Sequence, residues 1–334
     1  YQRSERALIH CLQEMVIKGV ATRKVHLPAL PRREQAGKIT EALCGLNFSK
    51  SQVSDICKRL DTEIQAWLNR PLEDEYPYVL VDARYNKIRR DHKVESHAVL
   101  IAKGVNCTGK RDIIGVDVCN DENETNWSLF FKGLKERGLK GVRLVTSDAH
   151  SGLLKAIEEN FSGCQWQRCQ VHFKKNILDK VRNKDKTWVK KKLDDIFLAP
   201  DKEEALIRLQ RFVMELSEKY PDAADLLEED GEDALTCLNF PEQHRRRIRT
   251  TNSLERFNQE IKRRTIIIRI FPNRNSALRL IGALCMEQAE EWITGRQYLD
   301  MTLLEKSEGC FAEDEEENKT KRQEEMVVAP DRTG

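Results

Sequence analysis

The sequence has 334 residues, enough to bury a large core and carry smaller modules beside it, so two or three domains are expected. Its 57 Lys+Arg and 55 Asp+Glu leave a net charge of +2, so a nucleic-acid partner must be argued from clustered charge and not from the sum. Apolar runs such as Thr265 to Ile270 fall far short of the roughly 20 residues of a membrane span, and no signal-peptide pattern opens the chain.

Ten cysteines are scattered without paired spacing, as expected of reduced thiols in a soluble intracellular protein; triplets such as Asn126-Trp127-Ser128 then carry no glycosylation meaning. The chain opens on Tyr1 inside an amphipathic pattern, from which preceding residues are expected.

Leu8, Ile9, Leu12, Met15 and Val16 lie at helical spacing ahead of Gly19, and a short helix to Cys44 follows the Pro-containing stretch 26–31. Ser49 with Gln52 reads as a capping-box start for a longer helix carrying Val53, Ile56, Cys57, Leu60, Ile64, Trp67 and Leu68 on one face. Helix, Gly-containing turn and capped helix predict a helix-turn-helix over 1–70, with Lys50, Lys58 and Arg59 as DNA-facing cations; a plain helical packing unit has the same pattern.

From Tyr78 the period changes to that of strands: Tyr78 to Ala83, Ser96 to Val105 and Arg111 to Cys119, joined by hairpin-sized polar turns. A helix from about Asn126 to Arg137 ends at Gly138, a strand from Val142 to Ser147 ends on Asp148, and a helix runs from Gly152 to Phe161. A short strand around Gln165 to Arg168 leads into a basic helix from Val171, giving the order β-β-β-α-β-α-β-α. Residues 185–240 read as helical throughout, with Leu206, Leu209, Phe212, Val213 and Leu216 as a stripe, and from Glu313 the composition predicts a solvated, charged tail within 305–334.

Asp82 and Asp148 sit among core-forming strand residues, where a charge needs a partner or a metal; Arg84 is the obvious alternative partner for Asp82. Glu255 lies in Thr250-Thr251-Asn252-Ser253-Leu254-Glu255-Arg256-Phe257-Asn258, on a polar face beside the buried stripe of Leu254, Phe257 and Ile261. It could meet the aspartates, or it could cap its own helix with Asn252. Oxygen ligands of this kind suit two Mg²⁺ or Mn²⁺ ions, which assist in-line phosphoryl transfer.

Arg245, Arg246, Arg247 and Arg249 precede Glu255, and Arg256, Lys262, Arg263, Arg264 and Arg269 follow it; phosphate contact and a solvated helix face are the two readings. Cys169-Gln-Val-His172 offers two ligands one helical turn apart, with Cys164 and His150 nearby, which is less than a zinc site requires; a buttress for the active site, with Trp166 in the core, is preferred. Gly104 to Lys110 fits part of a phosphate-binding loop, but Arg111 and the following strand make it a hairpin turn. Neither Tyr85 nor Tyr298 has a nucleophile's context.

Four blocks of sequence carry a family resemblance: Val81-Asp82-Ala83-Arg84-Tyr85; Gly141 through Val145 to Asp148-Ala149-His150; Trp166-Gln167-Arg168-Cys169-Gln170-Val171-His172-Phe173; and Thr251 to Asn258 running on to Arg269-Ile270-Phe271-Pro272-Asn273. In these the chain resembles the Mutator-type transposases of bacterial insertion sequences, from Tyr1 to about Leu304. The resemblance implies a ribonuclease-H-like α/β catalytic domain with a mixed sheet, split into 71–183 and 244–304 by an all-α insertion at 184–243. It assigns Asp82, Asp148 and Glu255 to a catalytic, metal-holding triad, and His150, Cys169, His172 and Asn252 to active-site support.

The implied function is binding of an element's inverted ends, followed by metal-dependent strand cleavage and strand transfer. A nuclease without joining activity and an inactive DNA-binding remnant are the alternatives. The implied partners are double-stranded DNA and further copies of the chain, with no membrane and no small-molecule cofactor, in the bacterial cytoplasm and on the nucleoid when DNA-bound. One departure from relatives stands out, the inserted stretch 26–37 with its two prolines, which puts recognition of the ends in doubt more than the chemistry.

Overall fold

The computed structural model describes residue 17, residues 55–266 and residues 268–305. The helix-turn-helix expected over 1–70, Lys50 and the charged tail lie outside the described residues, apart from the last helix of that region. That helix is α1, Leu60–Leu68, and it buries Leu60 and Ile64.

Three strands follow, β1 (Tyr78–Arg90), β2 (Lys93–Val105) and β3 (Arg111–Cys119), in an antiparallel meander. β1 and β2 run further than their apolar segments predict. Residues 84–97 alternate weakly because much of this stretch is exposed, and pairing continues to Arg90↔Lys93 around Asp91 and His92, both at positive φ. The Gly104–Lys110 segment is the hairpin turn expected: Gly109 takes φ +75°, and Asn106 Oδ1 accepts from Lys110 N at 2.8 Å.

Next come α2 (Glu124–Glu136), capped by Asn123, β4 (Leu144–Ser147), α3 (Ser151–Asn160), β5 (Gln165–Arg168) and α4 (Gln170–Asp179). The predicted order holds, with α2 beginning two residues earlier than its apolar pattern because Asn123 Oδ1 accepts from Asn126 N. The helical stretch expected over 185–240 contains α5 (Lys186–Phe197), α6 (Lys202–Ser217), α7 (Pro221–Asp230) and a 3-10 segment, Glu232–Asn239. After it come α8 (Glu242–Ile248), α9 (Asn252–Thr265), a two-residue strand β6 (Ile270–Phe271) and α10 (Arg274–Thr294).

The sheet order is β3-β2-β1-β4-β5, with β6 also on β1. β4 and β6 pair in parallel with the same edge of β1, at its two ends, and β5 pairs in parallel with β4. Strand alternation sends Val79 and Val81 to one face, against Trp127, Phe131 and Leu153 of α2 and α3. Leu80 and Ile88 go to the other, against Leu254, Phe257 and Ile261 of α9 and Ile281 of α10. A third core joins Tyr78 and Leu144 to α4 through α8, so the helical layer packs directly beside the sheet. No helix among the described residues is long and apolar enough to cross a membrane.

Candidate active site

The parallel pairing of β1 with β4 decides the geometry. Its register, Leu80↔Thr146, is an offset of 66 residues (146 − 80), and the same offset carries Asp82 to Asp148. β4 stops at Ser147, so Asp148 stands just past the carboxyl end of a central strand. Neighbouring strands are about 4.8 Å apart, so the two carboxylates are neighbours in space.

β4's end is held firmly. Ser147 Oγ donates to Asp148 O at 2.7 Å and accepts from Trp166 Nε1 at 2.9 Å, and Thr146 Oγ1 donates to Ile248 O at 2.6 Å. Trp166, only partly buried, therefore does more than fill space.

α9 brings the third carboxylate. Its buried stripe of Leu254, Phe257 and Ile261 faces the sheet, which turns Glu255 and Asn258, one turn apart, toward Asp82. Asn258 Nδ2 donates to Asp82 Oδ2 at 2.7 Å, and Asn258 O accepts from Arg84 Nη1 at 2.8 Å. Arg84 thus bonds the backbone beside Asp82; the simple Asp82–Arg84 ion pair is not formed.

The capping-box alternative for Glu255 also fails. Thr251 is the N-cap and makes no side-chain cap hydrogen bond, while Asn252 is exposed as the first helical residue. Glu255 Oε1 is instead buried without a hydrogen-bond partner, 3.3 Å from His172 Nε2.

The Cys169 sulfur ties these pieces together. It sits at the start of α4, fully buried, and accepts from Thr251 N at 3.4 Å and Thr251 Oγ1 at 3.3 Å, which fastens the first turn of α9 to that of α4. Burial pushes its thiol up, but the hydrogen bonds from His172 and Thr251 outweigh it and hold Cys169 below its ordinary value. The Cys169 sulfur, with Glu255 and Asp148 adding to it against burial, lifts the His172 imidazole to about 9. The ligand atoms of Cys169, His172 and Glu255 lie within 4.8 Å of one another, whereas Cys164 and His150 stand apart from that group.

Asp82 is the most perturbed carboxyl of the cluster. Burial drives it up to about 6, and Asp148 and Glu255 push the same way against Asn258 and His172. A further carboxylate, unmarked in the sequence, stands beside Asp148. Glu122, between β3 and α2, is raised by burial and by Asp148, with His150 Nδ1 3.9 Å from its Oε1. Its only sequence signal was an acid directly before the helix N-cap Asn123, one of several in a polar turn.

The predicted phosphate-binding cations divide. Arg263 and Arg264 pair with Glu260, and Lys58 with Asp55, so these are occupied within the protein. Arg245 donates to Phe240 O and Pro200 O, buttressing the helical layer. Arg59 and Lys262 are exposed, and Lys262, seven residues after Glu255, lies on the same face of α9. Arg246, Arg247, Arg249 and Arg256 line a cleft of about 760 Å³ with Asn252 and Ser253. Its other wall, from α4 and α5, adds Lys175, Lys186 and Lys190, which the sequence analysis did not single out, and Lys174, which is paired with Asp194. The cleft thus opens beside the first turn of α9, one turn before Glu255.

A mixed sheet thus presents neighbouring carboxylates at the end of a central strand, beside a cleft lined largely by cations. The chain belongs to the Mutator family of transposases: the family model described as "Transposase, Mutator family" matches residues 1–295. It is 43% identical over 301 residues to the transposase for insertion sequence element ISRM5 of Rhizobium meliloti, covering 90% of this chain and 73% of the relative. It is 41% identical over 304 residues to the transposase for insertion sequence element IS256 in transposon Tn4001 of Staphylococcus aureus, covering 90% and 75%. With the transposase for insertion sequence element IS1081 of Mycobacterium tuberculosis the identity is 37% over 316 residues, covering 94% and 74%.

Proposed function

We propose that this protein cuts DNA at the ends of an insertion sequence and joins the freed 3′ hydroxyls to target DNA, with Asp82, Asp148 and Glu255 as the catalytic carboxylates. The observation that supports the reading is that Asp148, past the end of β4, and Glu255, on α9, both lie near enough to Asp82 on β1 to push its carboxyl up, with Glu255 Oε1 buried and meeting only His172. Buried carboxylates that repel one another and lack enough internal donors fit hard divalent cations such as Mg²⁺ or Mn²⁺. Such ions, when bound, would polarise the scissile phosphate and activate the attacking oxygen.

The chain's own residues set the geometry. Asn258 orients Asp82, the β1–β4 register sets Asp148 beside it, and the Cys169–Thr251 contact fixes the helix that bears Glu255. His172 supplies cationic character beside Glu255, and the cleft between α4, α5, α8 and α9 would hold the DNA backbone. The antiparallel meander followed by parallel β4 and β5 supports a ribonuclease-H-like class for this domain.

The test is cleavage of a plasmid carrying the element's ends in Mg²⁺. Asp148→Asn and Glu255→Gln should each abolish nicking and joining while the proteins keep wild-type circular dichroism and DNA affinity; normal cleavage by either variant would sink the assignment. Nicked but never joined products from the wild type would favour the simple nuclease.

A further inference from the structure

On the opposite flank of α9 from Glu255 lies a second cluster of charges, this one positive. Ser253 is two residues before Glu255, about 200° around the helix, and its Oγ accepts from Lys103 Nζ at 2.7 Å. Lys103 is fully buried near the end of β2, in the apolar segment that follows His97. Its ammonium lies 4.7 Å from the centre of the Tyr298 ring and 5.6 Å from that of Trp292.

Arg111, at the start of β3, stacks 4.6 Å from Tyr298 and 4.8 Å from Trp292, and its Nε is buried without a hydrogen-bond partner. Arg247 covers Tyr298 at 4.9 Å. Among the described residues none of Lys103, Arg111, Arg247 and Arg256 forms an ion pair within 4 Å. The nearest acid to Arg111, Glu291, instead accepts from Gln288 at 2.8 Å.

A buried ammonium whose neighbours are two guanidiniums, a hydroxyl and two rings is costly to keep. Ring faces offset only part of the desolvation, and like charges add to it. Consistently, burial followed by Arg111 and Arg247 drives Lys103 down to about 7.

The cluster is also open to solvent at its edge. Arg247, Ser253, Arg256 and Tyr298 line both the 760 Å³ cleft and an adjoining one of about 550 Å³, into which Arg111 also faces. Arg256 rides the crest of α9 between the two flanks, exposed. Glu260, Glu287 and Glu291 line the far side of the smaller cleft, so it is the shared wall of Arg247, Ser253, Arg256 and Tyr298, with Arg111 and Lys103 behind it, that an anion would complement.

Resting on the reading of the carboxylates as the cutting site, we propose that Arg111, Arg247 and Arg256, backed by Lys103 and Ser253, form a pocket for a single backbone phosphate of the bound DNA. α9 would then be straddled by the nucleic acid, with the carboxylates on one flank and the phosphate grip on the other, about one helix diameter or 10 Å away. Arg111 and Arg247 touch the phosphate, and Lys103 acts through Ser253 as a positioning charge.

The test is fluorescence anisotropy of a labelled DNA duplex in EDTA across a salt series, where the slope of log affinity against log salt counts phosphate contacts at about 0.9 each. Arg111→Gln and Arg247→Gln should each flatten that slope, the double variant by about one contact in all, whereas Lys132→Gln on α2, remote from both clefts, should leave it unchanged. Lys103→Met should weaken binding with a melting temperature no lower than wild type, which a purely structural lysine would not do. Wild-type slopes in folded Arg111→Gln and Arg247→Gln proteins, or unaltered affinity in Lys103→Met, would overturn the pocket. Because no metal is present, that result is independent of the cleavage test, which alone decides the carboxylates; a wild type with no salt-dependent DNA binding would overturn both.

Discussion

The two flanks of α9 hold opposite charges, each crowded with its own kind. On one, Asp82, Asp148 and Glu255 crowd together with one carboxyl driven up to about 6; on the other, Lys103 sits among arginines and is driven down to about 7. Both departures are caused first by burial and then by like charge. The acidic cluster is partly offset by His172, 3.3 Å from Glu255, whereas Lys103 and the arginines around it form no ion pair among the described residues, so the basic flank is the less balanced of the two. The difference between them is equally instructive. The acidic flank is built from strand ends and a loosely hydrogen-bonded helix face, open to ions, while the basic flank is padded with Tyr298 and Trp292, which tolerate a cation in its empty state.

The largest effect that would break this comparison is chemical. If the acidic flank is catalytic, Asp148→Asn should reduce Mg²⁺-dependent cleavage by on the order of 10³-fold, the several kcal/mol that divalent-ion assistance supplies. Gel assays of nicking and joining read this directly, and a loss below tenfold would place the chemistry elsewhere.

Stability should move the other way, and more on the basic flank. Lys103 is depressed in the folded state, so folding is penalised below its folded value and recovers as pH rises from about 7 toward the ordinary lysine range. Lys103→Met should therefore stabilise the protein at neutral pH by on the order of 2–4 kcal/mol and remove most of the stability gain between pH 7 and 10. Urea unfolding at several pH values decides it, and a destabilised variant would show that the cage needs its ammonium.

For Asp82 the sign reverses. Its folded value is raised from 3.8 to about 6, so the folded state binds the extra proton and stability falls as pH climbs through that window. Asp82→Asn should then stabilise the apo protein at pH 7 by on the order of 1–3 kcal/mol while abolishing cleavage. Adding Mg²⁺ should raise the wild type's melting temperature and not the variant's, because a metal competes with that proton.

The acidic flank was read in the sequence chiefly through the family resemblance, since strand and helix patterns placed the three residues but left Asp82 open to an ion pair with Arg84 and Glu255 open to a helix cap. Val79 and Val81 mark β1 as core, the apolar run ending at Ser147 puts Asp148 at a strand terminus, and Leu254, Phe257 and Ile261 fix which way Glu255 turns. What joined the three was not local. The 66-residue register of β1 with β4 and the sulfur contact between Cys169 and Thr251 are tertiary facts. The basic flank was illegible for the same reason: Lys103 reads as a flaw in an apolar strand, and Arg111, Arg247 and Tyr298, spread over 187 residues (298 − 111), meet only through β3, α8 and the segment after α10. β6 escaped notice because two residues carry no periodicity.

The smallest effect is the most discriminating for how the acidic flank is tuned. Asn258 donates to Asp82 Oδ2 at 2.7 Å and is the main influence holding that carboxyl down against burial. Removing a hydrogen bond to a charged acceptor costs about 1.5–3 kcal/mol, or roughly one pH unit after water partly replaces the donor. In Asn258→Ala the acid limb of the pH–cleavage profile should therefore shift upward by about one unit, with the plateau at high pH nearly preserved, because the carboxylate, once formed, is chemically unchanged. A purely structural asparagine would instead lower cleavage at every pH by a constant factor and leave the limb in place, since loss of folded protein does not depend on the charge of Asp82.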